Sequence, residues 1–443
     1  MIKFTPSYYF YLIILVFCFL VFQQADLFHT AISSYAYLNG HLLDFYEFNK
    51  LYLEYNHYLP FIYAIFAVWN IPLFALGLTS SANGSNFAFE SLIFPSSAIE
   101  VIWWKLLLVL FFFGSVYLLS VISKKIKLSL IDKNISVNTL FATSPLAVFS
   151  VFLLGGYDII SVFFTLLGIL FYINRNTLRF SIFFSIAISL KFFAAIIFLP
   201  LLLLVEKKLF KLIGWGLLAS SFTLFQVLLY VKHPVFLNEV LLMLFHKTQS
   251  HSTLKTMFKL GIATLYVLFC FYLYGKKIKG LNQFYKYTVF VPLFAYSLMF
   301  VAVTWHPQWI IIICPFLALS FMYIKQRKML LIFEALAMIV LTWYVVNAWR
   351  GNIDLSMLNI GPLKSFIVKP SFLMSDIFHG FKSLFRWIFT FYFLVPILLL
   401  CYESKFMTKF KSQAISQNLI VSRLFIGLSF FIVPALIIIF KSF

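Results

Sequence analysis

Charge is scarce in this chain. Only 11% of its 443 residues are Asp, Glu, Lys or Arg, less than half the share usual in soluble proteins. That excludes the two soluble domains the length alone would suggest. Carboxylates are scarcest, 14 against 34 Lys and Arg, and the net charge is +20. Yet no basic domain exists to grip nucleic acid, so no nucleic-acid partner is expected. The cations stand in short clumps between apolar runs, such as Lys124-Lys125-Ile126-Lys127, Lys207-Lys208 and Lys276-Lys277-Ile278-Lys279. Cysteine is limited to Cys18, Cys270, Cys314 and Cys401, all in or at the ends of apolar runs. Their spacing excludes a disulfide framework and a metal knot, and they read as small core hydrophobes. The chain also lacks the internal repeat that builds many transporters. Its first apolar run, residues 8–22, lacks a signal-peptide cleavage site and is expected to stay as the first helix.

What is present is hydrophobic, 63% of the chain, in runs long enough to cross a hydrocarbon layer about 30 Å thick. The sequence therefore predicts an all-α polytopic membrane protein, a single multi-pass domain over residues 1–443. The positive-inside rule threads it by keeping the basic clumps on one side. Helix one runs from about residue 7 to 23 and exits. Segment 24–100 carries Asp26, Asp44, Glu47, Glu54, Glu90 and Glu100 against a single Lys50, which makes it a long first outer loop. Inside it, the apolar stretch Tyr58 to Leu78 is interrupted by Pro60 and Pro72. As a full crossing it would send the lysines near 124–133 outward, so it is expected to be a re-entrant or interfacial helix. Between Arg179 and Lys207 both flanks are basic and Lys191 interrupts the apolar run. Two short helices meeting near Lys191 keep both flanks inside, an arrangement tolerated where broken helices line a cavity. The remaining runs alternate to give about thirteen transmembrane helices, with further outer segments at 232–257 and a late outer loop at 348–383. Long loops carry function more often than short ones, so the working face is expected outside.

The candidates for chemistry lie on that face. Asp26 ends the first helix at the mouth of the long loop. A partly buried carboxylate there suits a general base that takes a proton from a hydroxyl; the plainer reading is a solvated helix-end charge. His41, Asp44, Tyr46, Glu47 and His57 interleave polar and aromatic side chains, as a sugar-binding surface does, although each alone also suits an ordinary surface. Asp26 and His29 share a helical face that His57 could join, but no ligand pattern completes a metal site and none is assigned. Gly155-Gly156-Tyr157-Asp158 makes a tight outer turn, with Asp158 either capping the next helix or meeting substrate. Lys191 is a cation in an apolar hairpin, costly unless paired or hydrated. It either snorkels to the interface or holds a lipid phosphate, whose charge grows as a sugar leaves. In Trp305-His306-Pro307-Gln308-Trp309 the tryptophans suit an interfacial belt, while His306 and Gln308 suit hydrogen bonds to sugar or phosphate. Arg350, after Trp349, is a further outer cation.

Taken together and in order, these residues resemble the GT-C superfamily of polyprenyl-phosphate-sugar-dependent glycosyltransferases, above all its bacterial mannosyltransferase-like branch. One helix, an acidic residue opening a long outer loop, then a Gly and a Tyr-Pro segment are similar to Asp26, Gly40, Tyr46 and Tyr58-Leu59-Pro60. Later features look like Pro145 with Gly156-Tyr157-Asp158, Ser189-Leu190-Lys191 and His306-Pro307-Gln308-Trp309. The likeness covers residues 24 to 315 and departs at Asp26-Leu27-Phe28-His29, which lacks the paired Asp-x-Asp of some relatives. The resemblance implies a GT-C-like fold in a bacterial inner (plasma) membrane, with the active site on its outer face. It implies an inverting hexosyltransferase that moves a mannose-like sugar from a polyprenyl-phosphate donor to a glycolipid or glycan acceptor, without a cofactor. Asp26 would be the base, and Lys191 with His306 or Arg350 would hold the departing phosphate. Asp44, Tyr46, His57, Asp158 and Gln308 would contact substrate, and the polyprenyl tail would lie in a groove lined by Phe and Leu. Three rivals compete with this reading. A transporter or flippase of lipid-linked sugars would need a polar path, for which Lys191 and Glu334 offer little. An outer-face polymerase or ligase would place its largest loop late. The third is a non-catalytic subunit of a glycosylation complex.

Overall fold

The structure, a computed structural model of the chain, describes residues 6–52, 57–79, 97–126, 136–242, 253–303, 305–321, 323–324, 326–368, 370, 374, 387–389, 391–395, 397–398 and 416–442. Every regular element among them is helical. Helix α1 (Pro6–Val21) is followed by α2 (Ala25–Ser33), α3 (Tyr35–Leu38), α4 (Phe45–Tyr52) and α5 (Pro60–Ala75). Then come α6 (Ala98–Lys125), α7 (Val137–Ala142), α8 (Pro145–Val148), α9 (Asp158–Ile173), α10 (Thr177–Leu190), α11 (Phe193–Val205) and α12 (Leu209–Tyr230). The last are α13 (Pro234–Phe236), α14 (Thr253–Gly275), α15 (Leu281–Ala302), α16 (Cys314–Ser320), α17 (Arg327–Ala348) and α18 (Gln417–Ser442).

Six of the described helices, α6, α12, α14, α15, α17 and α18, are long and apolar enough to cross a membrane. A seventh candidate is α1 with its continuation through α3, bent by 64°. Among the described residues, several of the other runs expected to cross form shorter apolar helices. The reason is local. The run near 137–154 breaks at Ser144-Pro145 into α7, α8 and a π turn, Phe149–Leu153. The run near 309–324 begins as a 3-10 turn, Pro307–Ile312, before α16. Parts of the expected crossing at 384–401 and of the segments at 24–100, 232–257 and 348–383 lie outside the described residues.

The stretch expected to be re-entrant or interfacial forms α5, a helix of 16 residues and about 24 Å. It is fixed to α6 by a stacked pair, Trp69 and Trp103, with ring centroids 4.7 Å apart. Each indole N–H donates to the other residue's carbonyl, at 2.8 and 2.9 Å. Helix α6 itself opens on a capping box in which Ser97 and Glu100 satisfy each other's backbone N–H.

Helices α9, α10 and α11 zigzag and give the bundle two chemically distinct ends. They measure about 24, 21 and 20 Å. At one end Asp158 starts α9 and Lys191 separates α10 from α11. At the other, Arg175, Lys207, Lys276 and Lys277 come together from three turns far apart in sequence. The break between α10 and α11 falls at Lys191, whose backbone is extended (φ −153°, ψ 117°).

One ion pair is wholly enclosed between α17, α18 and the α7–α8 break. Arg423 Nη1 donates to Glu334 Oε2 at 2.5 Å, and both side chains are at most 3% exposed. Arg423 Nη2 also donates to Leu140 O and Thr143 Oγ1, and Ser144 Oγ donates to Glu334 Oε1. Losing one member of such a pair leaves a buried charge with no counter-ion. Arg423→Met is therefore expected to cost about 3–5 kcal/mol, and the double variant Arg423→Met/Glu334→Leu to recover most of it. Thermal unfolding in detergent tests this; a single variant as stable as wild type refutes it.

Candidate functional site

Helix α1 stops at Val21, and a helix end presents carbonyls with no intrahelical partner. Lys105, fully buried on α6, meets them. Its ammonium donates to Phe22 O at 2.6 Å and to Phe152 O at 2.9 Å. A buried lysine is tolerable where such acceptors surround it. Gln23, also buried, donates from its amide to Gln24 O and Leu154 O. Together Lys105 and Gln23 tie the start of α2, which carries Asp26, to the turn before α9, which carries Asp158.

That turn depends on its glycines. Gly155 has φ +69°, and a Cβ there would lie 2.7 Å from Gln23 Nε2. A Cβ on Gly156 would lie 2.8 Å from Ser150 O and 3.1 Å from Gln308 Cβ. The close approach lets Ser150 Oγ donate to Gln308 O at 2.6 Å. Gln308 is thereby seated, and its Nε2 donates to Asp26 Oδ2 at 2.5 Å, a charge-assisted bond. Asp26 is half-buried.

Beside it stands Lys191. Its Nζ lies 2.8 Å from Asp158 Oδ1, with the two side chains 9% and 1% exposed. The ammonium also lies over three rings, 4.4 Å from the centroid of Tyr58, 5.3 Å from Tyr157 and 5.4 Å from Trp309. Lys191 is therefore caged inside the protein instead of snorkelling to an interface. Tyr58 and Tyr157 meet edge to face, 5.4 Å apart. Burial, then the charges of Asp26 and Asp158, push the Tyr58 phenol well above its ordinary pKa. Burial, then Tyr58 and Asp26, do the same for Tyr157. Both phenols are thus held in the neutral form. The Trp309 indole N–H is buried with no acceptor among the described residues, an open donor beside the cage.

Four residues expected from the sequence, Asp26, Asp158, Lys191 and Gln308, are brought into this one group. His57 precedes Tyr58 and acts electrostatically on His29, which in turn responds to Asp26. The exposed His306 ring packs 5.1 Å from Trp309 and 5.9 Å from Trp349. The exposed Arg350, next to Trp349, thus lies on the His306 side of the site.

Two further residues singled out in the sequence stand apart from this group. Asp44 is exposed on the turn before α4 and pairs with His41 at 2.8 Å, so its hydrogen-bond partner lies outside this group. Tyr46 is not on a sugar-facing surface. It is fully buried, its ring 5.2 Å from Tyr230 and 4.9 Å from Phe236. Its hydroxyl donates to Tyr58 O at 2.7 Å, so Tyr46 props the residue that cages Lys191.

Lys105 went unread in the sequence, and so did the caging role of Tyr58, Tyr157 and Trp309. Lys105 carries the same signal as Lys191, a cation inside an apolar run. The rings carry none, because aromatics make up 21% of the chain. No group of three or more His, Cys, Asp or Glu side chains gathers to hold a metal among the described residues. No family model, curated protein or solved structure matches the chain, so its own geometry is the basis for reading the site.

Overpacking at the Gly156 contact is expected to cost about 1–3 kcal/mol in Gly156→Ala. Gly214→Ala on α12, where no heavy atom lies within 4 Å, leaves stability unchanged or raises it. Equal melting temperatures for the two purified variants contradict the role given to Gly156.

Proposed function

We propose that the protein is a membrane glycosyltransferase of GT-C type that moves a hexose from a polyprenyl-phosphate donor to a hydroxyl of a glycolipid or glycan. The observation that supports this best is the adjacency of a carboxylate held by Gln308 and an ammonium caged by three rings and Asp158. An inverting displacement asks for those two charges. A base must take the acceptor's proton as the new bond to the sugar's anomeric carbon forms. A fixed cation must meet the phosphate as the old bond breaks and its electrons pass to oxygen.

In this reading Gln308 occupies one Asp26 oxygen and leaves the other for the acceptor's proton. Lys191 stabilises the departing phosphate, and the open Trp309 N–H donates to it. Asp158 keeps Lys191 oriented. His306 and Arg350 add donors at the rim, and the caging rings offer faces on which a sugar can stack. An apolar cavity of about 620 Å³ starts at Ile188 and Ala195, on either side of the Lys191 break, and runs among α11, α12, α14 and α15. It suits the polyprenyl tail. The orientation belongs to the same proposal: the cations gathered at Arg175, Lys207, Lys276 and Lys277 mark the cytoplasmic end. The thirteen-crossing threading then puts Asp26 on the outer face of the plasma membrane.

Membranes carrying wild type, Asp26→Asn or Lys191→Met, supplied with a panel of labelled polyprenyl-phosphate hexoses, test the chemistry. Asp26→Asn is expected to slow transfer by about 10²–10⁴-fold with donor binding kept, and Lys191→Met to weaken donor binding as well. Wild-type rates in Asp26→Asn would falsify the mechanism. No transfer by wild type from any donor would turn the reading toward flipping of lipid-linked sugars. For orientation, a membrane-impermeant maleimide should label Arg350→Cys in intact cells and Lys277→Cys only after permeabilisation; the opposite pattern inverts the threading.

A further inference from the structure

The basic end of the bundle holds a pocket that the proposed transfer does not use. It has a volume of about 370 Å³, and Arg175, Lys207, Lys276 and Lys277 line it from the α9–α10, α11–α12 and α14–α15 turns. We propose that it is a binding site for a phosphate-bearing anion, either the headgroup of an anionic phospholipid or a free phosphate group.

Arg175 supplies the main reason. It has φ +60°, the only non-glycine in the left-handed region among the described residues, a conformation that side chains with a Cβ adopt at a cost. The strained backbone places its guanidinium carbon 3.4 Å from the centroid of the Phe284 ring. A guanidinium covered on its face keeps its N–H donors in plane and free for oxygen. The Arg175 side chain makes no hydrogen bond among the described residues, since the bond at this position comes from its backbone N–H. Lys207 commits two of its three N–H groups to Leu203 O and Leu273 O, at the ends of α11 and α14. Lys276 lies 5.5 and 5.8 Å from the Tyr272 and Tyr287 ring centroids.

The negative charge at this end falls short of the positive. The C-termini of α9, α11 and α14 contribute roughly half a unit each. Glu206 adds one, but its Oε1 is taken by the backbone N–H groups of Lys207 and Lys208 at 3.0 Å each. Against these stand four cations, so a surplus of roughly one positive charge or more remains. A planar fork beside ammonium groups is the donor set that phosphate oxygens accept from. Basic pockets between helices at a membrane surface hold phospholipid headgroups on the same grounds. The inference does not rest on the transfer reaction.

The test uses the purified full chain and an Arg175→Asn/Lys277→Gln double variant. Asn is chosen because it tolerates a left-handed φ. Native mass spectrometry from mixed micelles measures retention of phosphatidylglycerol over phosphatidylcholine, and equilibrium dialysis measures binding of radiolabelled inorganic phosphate. Wild type is expected to retain the anionic lipid. The double variant should do so at least about tenfold less well, at an unchanged melting temperature, while Lys208→Gln retains it as wild type does. Phosphate binding lost in the double variant, without any lipid preference in wild type, assigns the pocket to a free phosphate group. Wild type that binds neither, or a double variant that binds as wild type does, overturns the proposal.

Discussion

A helix that stops inside apolar surroundings leaves carbonyl oxygens that water cannot reach, and each must find a donor. The candidate site depends on how this chain meets that demand at Phe22 and Phe152. One ammonium, Lys105, serves both. Because the two carbonyls belong to segments that continue into Asp26 and Asp158, satisfying them also sets the spacing between the two carboxylates. The bend after α1, the glycine turn and the seat of Gln308 all follow from that anchor. A leucine at 105 would suit the hydropathy of α6 better and would leave both chain breaks without a donor.

The same constraint explains the company Lys191 keeps. Desolvating an ammonium is expensive, and a single carboxylate repays it only with good geometry and further contacts. Here the further contacts are three ring faces, each worth up to about 2 kcal/mol where water is excluded. Tyr58 serves the cage while its carbonyl receives Tyr46, so a buried residue of α4 supports the lysine at second hand. The lysine is fixed and enclosed by polarizable surface.

Much of this was legible in the sequence, for a physical reason. Charge in an apolar chain is costly, so each charged residue and each backbone irregularity is informative. The break at Lys191 followed from basic flanks too close together for one crossing, and Gly155-Gly156-Tyr157-Asp158 announced a turn. The convergence of Asp26 with Gln308 did not follow, since no periodicity relates residues so far apart. Tyr46 was misplaced because an aromatic among polar neighbours reads alike whether its ring faces water or the interior. Hydropathy likewise does not register the break at Ser144-Pro145 or the 3-10 turn at Pro307.

The bond between Gln308 and Asp26 joins positions 282 residues apart. Chains emerge from the ribosome N-terminus first, at roughly 5–20 residues per second. The carboxylate therefore enters the membrane on the order of 15–55 s before its partner has been made. During that interval Asp158 and Lys191 can already meet, since little more than thirty residues separate them, but Asp26 has no amide to hold it. Biosynthesis thus imposes an order on the site: Asp158 and Lys191 can pair early, and the segment bearing Gln308 and Trp309 completes both halves together once more than two thirds of the chain has been made. A chain cut before that point would carry the Lys191–Asp158 pair without Gln308 to hold Asp26 and without the Trp309 ring of the cage.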